Sequence, residues 1–318
     1  MCSFEGTVRE AAERIRGVAR RTPMEHSRRL SREFGQPIYL KLECFQTTGS
    51  FKIRGAYSKL ALLAEARCPS AILTVSAGNH GLAVAHSAEK LGLNATVVVP
   101  ENASAAKVEA IGRYPVRLLK VGKDYDAAEA AALQMSRESA AVFVSPYNDP
   151  EVIAGQGTVA LEMLEDVPDL EALVVPTGGG GLLAGVASFA KAILPGIKVY
   201  GVEPATSPTM TRALEAGHIV AITEEETVAD GLAGNIEAGS ITFPIVQALV
   251  DGMILVSEAG IRSAILQAAR QDHRIIEGSA ATAIAALGDK RLGGLTIGAV
   301  VTGCNISLEL FRRLIASC

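Results

Sequence analysis

The chain has 318 residues, 49% of them apolar and 4% aromatic, with no tryptophan and a formal net charge of −4. That balance offers no basic footprint for nucleic acid and no polybasic membrane anchor, and no apolar run is long enough to span a bilayer. The length suits two domains or one large one, with a core built from Ala, Val, Leu and Ile as in α/β proteins with buried parallel strands.

Val8, Ala11, Ala12, Ile15 and Val18 recur at helical spacing, so the chain opens on a helix. Glu5, Glu10 and Glu13 interrupt that segment, and no signal-peptide pattern is read there. Strands are predicted at 38–42, 71–75, 95–99, 116–121 and 142–145, with helices at 81–91, 105–111 and 127–136 between them. The alternation continues with strands at 173–175, 198–202, 254–256 and 297–301. Regular β–α alternation implies parallel sheet with helices on its faces. The acidic run Glu224-Glu225-Glu226 reads as a solvated surface turn.

Cys2, Cys44, Cys68, Cys304 and Cys318 are odd in number and scattered, with no CxxC pair. Reduced thiols in a cytoplasmic protein fit that pattern. None of His26, His80, His86, His218 and His273 forms a ligand cluster with them, so no metal site is expected.

Four segments carry chemistry. The first is Thr48-Gly49-Ser50-Phe51-Lys52-Ile53-Arg54-Gly55-Ala56. An amine at such a turn, desolvated and near a helix N-terminus, has the lowered pKa that Schiff-base formation requires. The second is Ser76-Ala77-Gly78-Asn79-His80-Gly81, between a strand and a helix. Its hydroxyl, side-chain amide and backbone N–H groups can hold a carboxylate, and Asn79 can donate to a phenolic oxygen. Ser76 or Asn79 would also suit a helix N-cap. His86, inside the helix, reads as structural.

The third segment is a strand ending in Thr177, then Gly178-Gly179-Gly180-Gly181, then a helix from Leu182. Without Cβ atoms, the loop N–H groups and the helix N-terminus can hold a phosphate. A bulky side chain at Gly180 is expected to block those groups. The same stretch formally fits a dinucleotide fingerprint, with Glu203 placed to bind a ribose, which keeps an NAD-dependent oxidoreductase open as an alternative. The fourth segment is Val300-Val301-Thr302-Gly303-Cys304-Asn305, again at a strand end. A buried Thr302 hydroxyl can bond a pyridine nitrogen, or simply cap a helix.

Together these residues resemble the serine/threonine dehydratase and serine racemase group of pyridoxal-phosphate enzymes, fold type II, along almost the whole chain. The resemblance implies an α/β protein of two domains with open, mostly parallel twisted sheets flanked by helices. It places residues 1–65 and 149–318 in a large cofactor-binding domain, and 66–148 in a small domain with the substrate-carboxylate loop. It implies that Lys52 bonds pyridoxal 5'-phosphate. Phe51 lies beside the ring, Asn79 faces the 3-oxygen, Gly178, Gly179, Gly180, Gly181 and Leu182 hold the phosphate, and Thr302 faces the ring nitrogen. Ser76, Ala77, Gly78, Asn79 and His80 bind the substrate carboxylate. Ile153 to Thr158, Ala229-Asp230-Gly231 and Glu277-Gly278-Ser279 are further segments of the group. A cytoplasmic homodimer acting on a small amino acid is implied as well.

The departures sharpen the expectation. Racemases of the group carry a second serine where this chain has Ala77, which argues against racemisation. Cysteine synthases, which replace the β-substituent, carry Asp where Ile53 stands, which favours elimination over replacement. Glu203 matches one ligand of a divalent-cation site in racemase-like members, but the expected aspartate is Thr209. The expected reaction is conversion of a β-hydroxy amino acid, such as L-threonine or L-serine, to a 2-oxo acid and ammonia.

Overall fold

A computed structural model describes residues 4–68, 71–223 and 225–316. Cys2, Cys318 and Glu224 lie outside the described residues. Glu225 and Glu226 are exposed, as expected, but lie in irregular chain rather than in a turn.

The strands are β1 (Met24–His26), β2 (Ile38–Leu42), β3 (Ile72–Val75), β4 (Ala95–Val99), β5 (Arg117–Lys120), β6 (Val142–Phe143), β7 (Ala172–Pro176), β8 (Lys198–Pro204), β9 (Gly252–Val256) and β10 (Ile297–Val301). They form two sheets. One has the order β1-β2-β10-β7-β8-β9 and the other β5-β4-β3-β6. Every pairing is parallel except β1 with β2. The antiparallel β1 is too short for a periodicity signal and was not expected. The strand expected over 142–145 stops at Phe143, where the chain turns toward Pro146.

Helices fill the intervals: α1 (Phe4–Arg14), α2 (Arg28–Phe34), α3 (Lys52–Glu65), α4 (Asn79–Leu91), α5 (Ala105–Gly112), α6 (Tyr125–Ser139), α7 (Pro150–Asp166), α8 (Gly181–Ile193), α9 (Thr209–Ala216), α10 (Thr242–Leu249), α11 (Glu258–Gln271), α12 (Gly278–Ala285) and α13 (Leu308–Ala316). Their starts carry local signals. Ser27, Ser104, Asp124, Asp149 and Ser257 each accept a first-turn backbone N–H, and Pro150 follows Asp149 where no donor is needed.

The parallel strands are buried on both faces because successive side chains point to opposite sides. Ala172 and Val174 join one core with α11 and α12, while Leu173 and Val175 join the other with α7 and α8. The smaller sheet is covered likewise. Leu73, Val75 and Val98 pack on α6, and Val97 and Val99 pack with Ala85 of α4 and Ile111 of α5. Ile53, Ala56 and Leu60 of α3 share a core with Ile72, Ala83 and Val84, so α3 is seated on the smaller sheet's side.

Candidate active site

Loops leaving the carboxyl ends of β2, β3, β6, β7 and β10 line one cavity of about 440 Å³. Open parallel sheets bind ligands at these ends. Phe51, Lys52, the Ser76–His80 loop, Gly178–Leu182 and Thr302 all line it, so the structure brings together across both sheets every residue expected to meet pyridoxal phosphate or the substrate carboxylate.

Lys52 is the first residue of α3. Its Nζ donates to the Pro146 carbonyl at 2.8 Å and lies 5.2 Å from the Phe51 ring centroid. Burial pushes the amine's pKa down to about 8, against the opposing pull of Glu277. The turn before it is stitched to the end of β10. Phe51 N donates to Thr302 O at 3.0 Å, and Cys304 N donates to Gly49 O at 2.9 Å. Behind the lysine, α3 lies against α7 at backbone distance. A Cβ on Gly55 would stand 2.7 Å from Val152 O, and one on Gly155 2.6 Å from Arg54 O. Arg54 fills the space beside them, fully buried and paired with Glu43 at 2.8 Å and Glu162 at 2.7 Å. A buried guanidinium needs such paired acceptors, and here they anchor the helix that presents Lys52.

The Ser76–His80 loop departs from the expected N-cap. The residue before α4 is Gly78, and it supplies no side-chain cap. Ser76 Oγ accepts from Gly78 N at 3.1 Å, within the loop itself. The Asn79 amide instead donates to Glu277 Oε1 at 2.7 Å, and its oxygen accepts from Asn305 Nδ2 at 2.7 Å. Asn305 N closes the triangle on Glu277 Oε2 at 3.1 Å. Burial pushes the Glu277 carboxyl up to about 7 despite the Asn79 hydrogen bond. His80 is buried, with Nε2 3.2 Å from Val144 O and Nδ1 unpartnered. Burial, then the charge of Lys52, push its pKa down to about 3, so the imidazole is neutral. His86 does not line the cavity and lies edge-on to Tyr114 at 5.8 Å.

The glycine loop joins β7 to α8, and the first turn of α8 leaves its N–H groups without intrahelical acceptors. The reason for glycine at position 180 differs from the expected one. Gly180 has φ +88°, and a Cβ there would meet Met210 Cε at 2.7 Å and Thr242 Cβ at 3.1 Å. The added volume would press on protein, so the tight turn is itself a requirement. On Gly179 a Cβ would strike the Tyr147 ring at 2.6 Å. Thr242 Oγ1 holds the loop from behind by donating to Gly179 O at 2.7 Å.

Thr302 follows β10, and its buried Oγ1 has no partner among the described residues. It caps no helix. Glu203 does not line the cavity. Its carboxylate accepts Met210 N at 2.6 Å, Thr211 N at 2.9 Å and Thr211 Oγ1 at 2.6 Å at the start of α9. That use removes it from the ribose-binding role. Thr209 Oγ1, at the position of the missing aspartate, donates to Gly234 O at 3.2 Å.

Sequence reasoning missed Tyr147 and Lys107 and gave Glu277 and Asn305 no role. Tyr147 had one available signal, its place just beyond a parallel strand's carboxyl end. Glu277 and Asn305 meet Asn79 only through tertiary contacts between distant segments, which no spacing announces.

The chain is matched over residues 15–303 by the family model described as "Pyridoxal-phosphate dependent enzyme". It is 40% identical over 309 residues to L-threonine ammonia-lyase of Thermotoga maritima, covering 97% of this chain and 77% of that one. It is 36% identical over 313 residues to L-threo-3-hydroxyaspartate ammonia-lyase of Saccharomyces cerevisiae, covering 98% and 96%. The structure of maize serine racemase superposes with a TM-score of 0.92 at 33% identity, covering 100% of this chain and 98% of that one. A cavity built from a lysine turn, a glycine loop and an asparagine loop, together with a family match spanning most of the sequence, places this chain in the family of pyridoxal-phosphate-dependent enzymes.

Proposed function

We propose that this protein is an ammonia-lyase that converts a β-hydroxy amino acid, such as L-threonine or L-serine, to a 2-oxo acid and ammonia by α,β-elimination. The observation that carries this reading is the Lys52 amine, lowered to about 8 by burial, in one cavity with the Ser76–His80 and Gly178–Leu182 loops. The likeness to L-threonine ammonia-lyase supports it.

The residues present suit pyridoxal phosphate. Thr302 Oγ1, Ser279 Oγ and His80 Nδ1 are buried with no partner among the described residues, and all three residues line the cavity. The free first-turn N–H groups of α8 add an anion site. A phosphorylated pyridine, with a ring nitrogen, a phenolic oxygen and a phosphate, matches this set. In the proposal Lys52 would bond its aldehyde, with Phe51 beside the ring. Gly178, Gly179, Gly180, Gly181 and Leu182 would hold the phosphate, Thr302 would bond the ring nitrogen, and Asn79 would bond the phenolic oxygen. Ser76, Ala77, Gly78, Asn79 and His80 bind the substrate carboxylate.

The cofactor, when bound, supplies an electron sink for charge developing at the substrate Cα. Once the substrate's own amine has taken its place on the cofactor, the freed Lys52 amine would take the Cα proton, which its depressed pKa permits near neutral pH. Thr302 brings a neutral hydroxyl, and so places no negative charge beside the ring nitrogen. That choice favours prompt departure of the β-substituent. Ala77 brings no acid or base to the cavity wall, which favours elimination over racemisation.

The domain division of 66–148 from 1–65 and 149–318 belongs to this proposal. It is supported by the four-stranded sheet, which lies wholly within 66–148, while α3, assigned to the large domain, packs on that sheet's side. A homodimer in the cytoplasm, with a catabolic role, belongs to it also. The free thiols of Cys44, Cys68 and Cys304 agree with that compartment. No helix among the described residues is long and apolar enough to cross a membrane.

The test is a 2-oxo acid assay of the holoenzyme with L-serine, L-threonine and L-threo-3-hydroxyaspartate in turn. Keto acid and ammonia in equal amounts are expected from at least one of them. Absence of product from all three overturns the reading.

A further inference from the structure

Lys107 brings to the cavity wall a positive charge that the elimination chemistry does not use. Among the described residues lining the cavity, the one other lysine is Lys52, and no arginine is present. Lys107 stands near the start of α5, on the smaller sheet's side, and its Nζ pairs with the carboxylate of Asp230. Asp230 lies in the chain between α9 and α10, on the larger sheet's side, and also lines the cavity. The two side chains are 33% and 63% exposed. An ion pair this open to water is held weakly and exchanges readily.

The pair also sits within electrostatic reach of the proposed substrate loop. Asp230 pushes the Glu277 carboxyl up and Lys107 pulls it down, and Glu277 is the group that holds Asn79. The backbone beside Asp230 packs close to Ser279, since a Cβ on Gly231 would stand 2.8 Å from Ser279 Oγ.

We propose that Lys107 reads the charge of the substrate's β-substituent, with Asp230 as its built-in competitor. This inference rests on the amino-acid site proposed above. A substrate with a second carboxylate takes the place of Asp230 on Lys107, and the displaced Asp230 turns to the water it already meets. One carboxylate replaces another, so Lys107 keeps its partner throughout. A neutral substituent leaves the Lys107–Asp230 pair in place. The site therefore admits both neutral and acidic β-hydroxy amino acids, and Asp230 sets the ratio between them.

Calorimetric titration of the holoenzyme with L-aspartate and L-asparagine tests this. The two are close in size and differ in charge, and neither carries a β-hydroxyl to eliminate. In Asp230→Asn the preference for aspartate over asparagine should rise about fivefold, the upper reach of an exposed ion pair. In Lys107→Met it should fall below the wild-type ratio by a similar factor. An unchanged ratio in both variants overturns the proposal. So does an equal change for both ligands, which would make the pair only a latch across the cavity. Failure of the ammonia-lyase reading would appear separately, as absence of 2-oxo acid from serine and threonine, while the binding ratios still report on Lys107.

Discussion

Asn79 and Glu277 come from loops of different sheets and meet at 2.7 Å, amide to carboxylate, in the wall of the cavity. Asn79 opens α4 behind β3 of the smaller sheet, and Glu277 precedes α12 on the larger sheet's side. The contact joins the proposed substrate loop to a carboxyl that also acts on Lys52.

The charge of Glu277 raises the Lys52 pKa, opposing the burial that lowers it to about 8. Glu277→Gln keeps an acceptor for Asn79 and removes the charge. The neutral amine then persists to lower pH, so the acid limb of the kcat–pH profile should move below its wild-type position. An unmoved limb, or one moved to higher pH, would show that Glu277 does not set the proton affinity of Lys52.

Racemisation needs a proton donor on the substrate face opposite Lys52, and Ala77 supplies none. Ala77→Ser should raise the formation of D-serine from L-serine relative to pyruvate. Chiral chromatography of the residual amino acid beside a keto-acid assay separates the two. Substantial D-serine from the unaltered enzyme would mean that another group serves that face.

Gly180 holds φ +88° with Met210 and Thr242 behind it. Gly180→Ala should therefore cost about 1–3 kcal/mol of stability in the apo protein, seen as a lower denaturation midpoint. Weakened cofactor binding at unchanged stability would instead support the simpler idea that a side chain there blocks the phosphate.

The strand boundaries of β2, β4 and β10 were legible in the sequence because buried parallel strands are short continuous apolar runs between polar turns. The site loops were legible because each joins a strand to a helix and is rich in glycine, hydroxyls or amides. The position of β1 was not, since three residues with one apolar side chain carry no periodicity. Nor was the side-chain use of Asn79, where local capping chemistry lost to a partner 198 positions away. The glycine requirement at 180 was read from the ligand's side of the loop. The packing against Met210 and Thr242 appears only once α9 and α10 are in place.

The central claim is that Lys52 bonds the cofactor and moves the proton. Borohydride reduction of the holoenzyme followed by peptide mass mapping tests it most directly. The pyridoxyl mass is expected on the peptide containing Lys52, with no turnover by Lys52→Ala on any β-hydroxy amino acid. The label on another lysine, such as Lys107 or Lys41, in an enzyme that still turns over without Lys52, would contradict it.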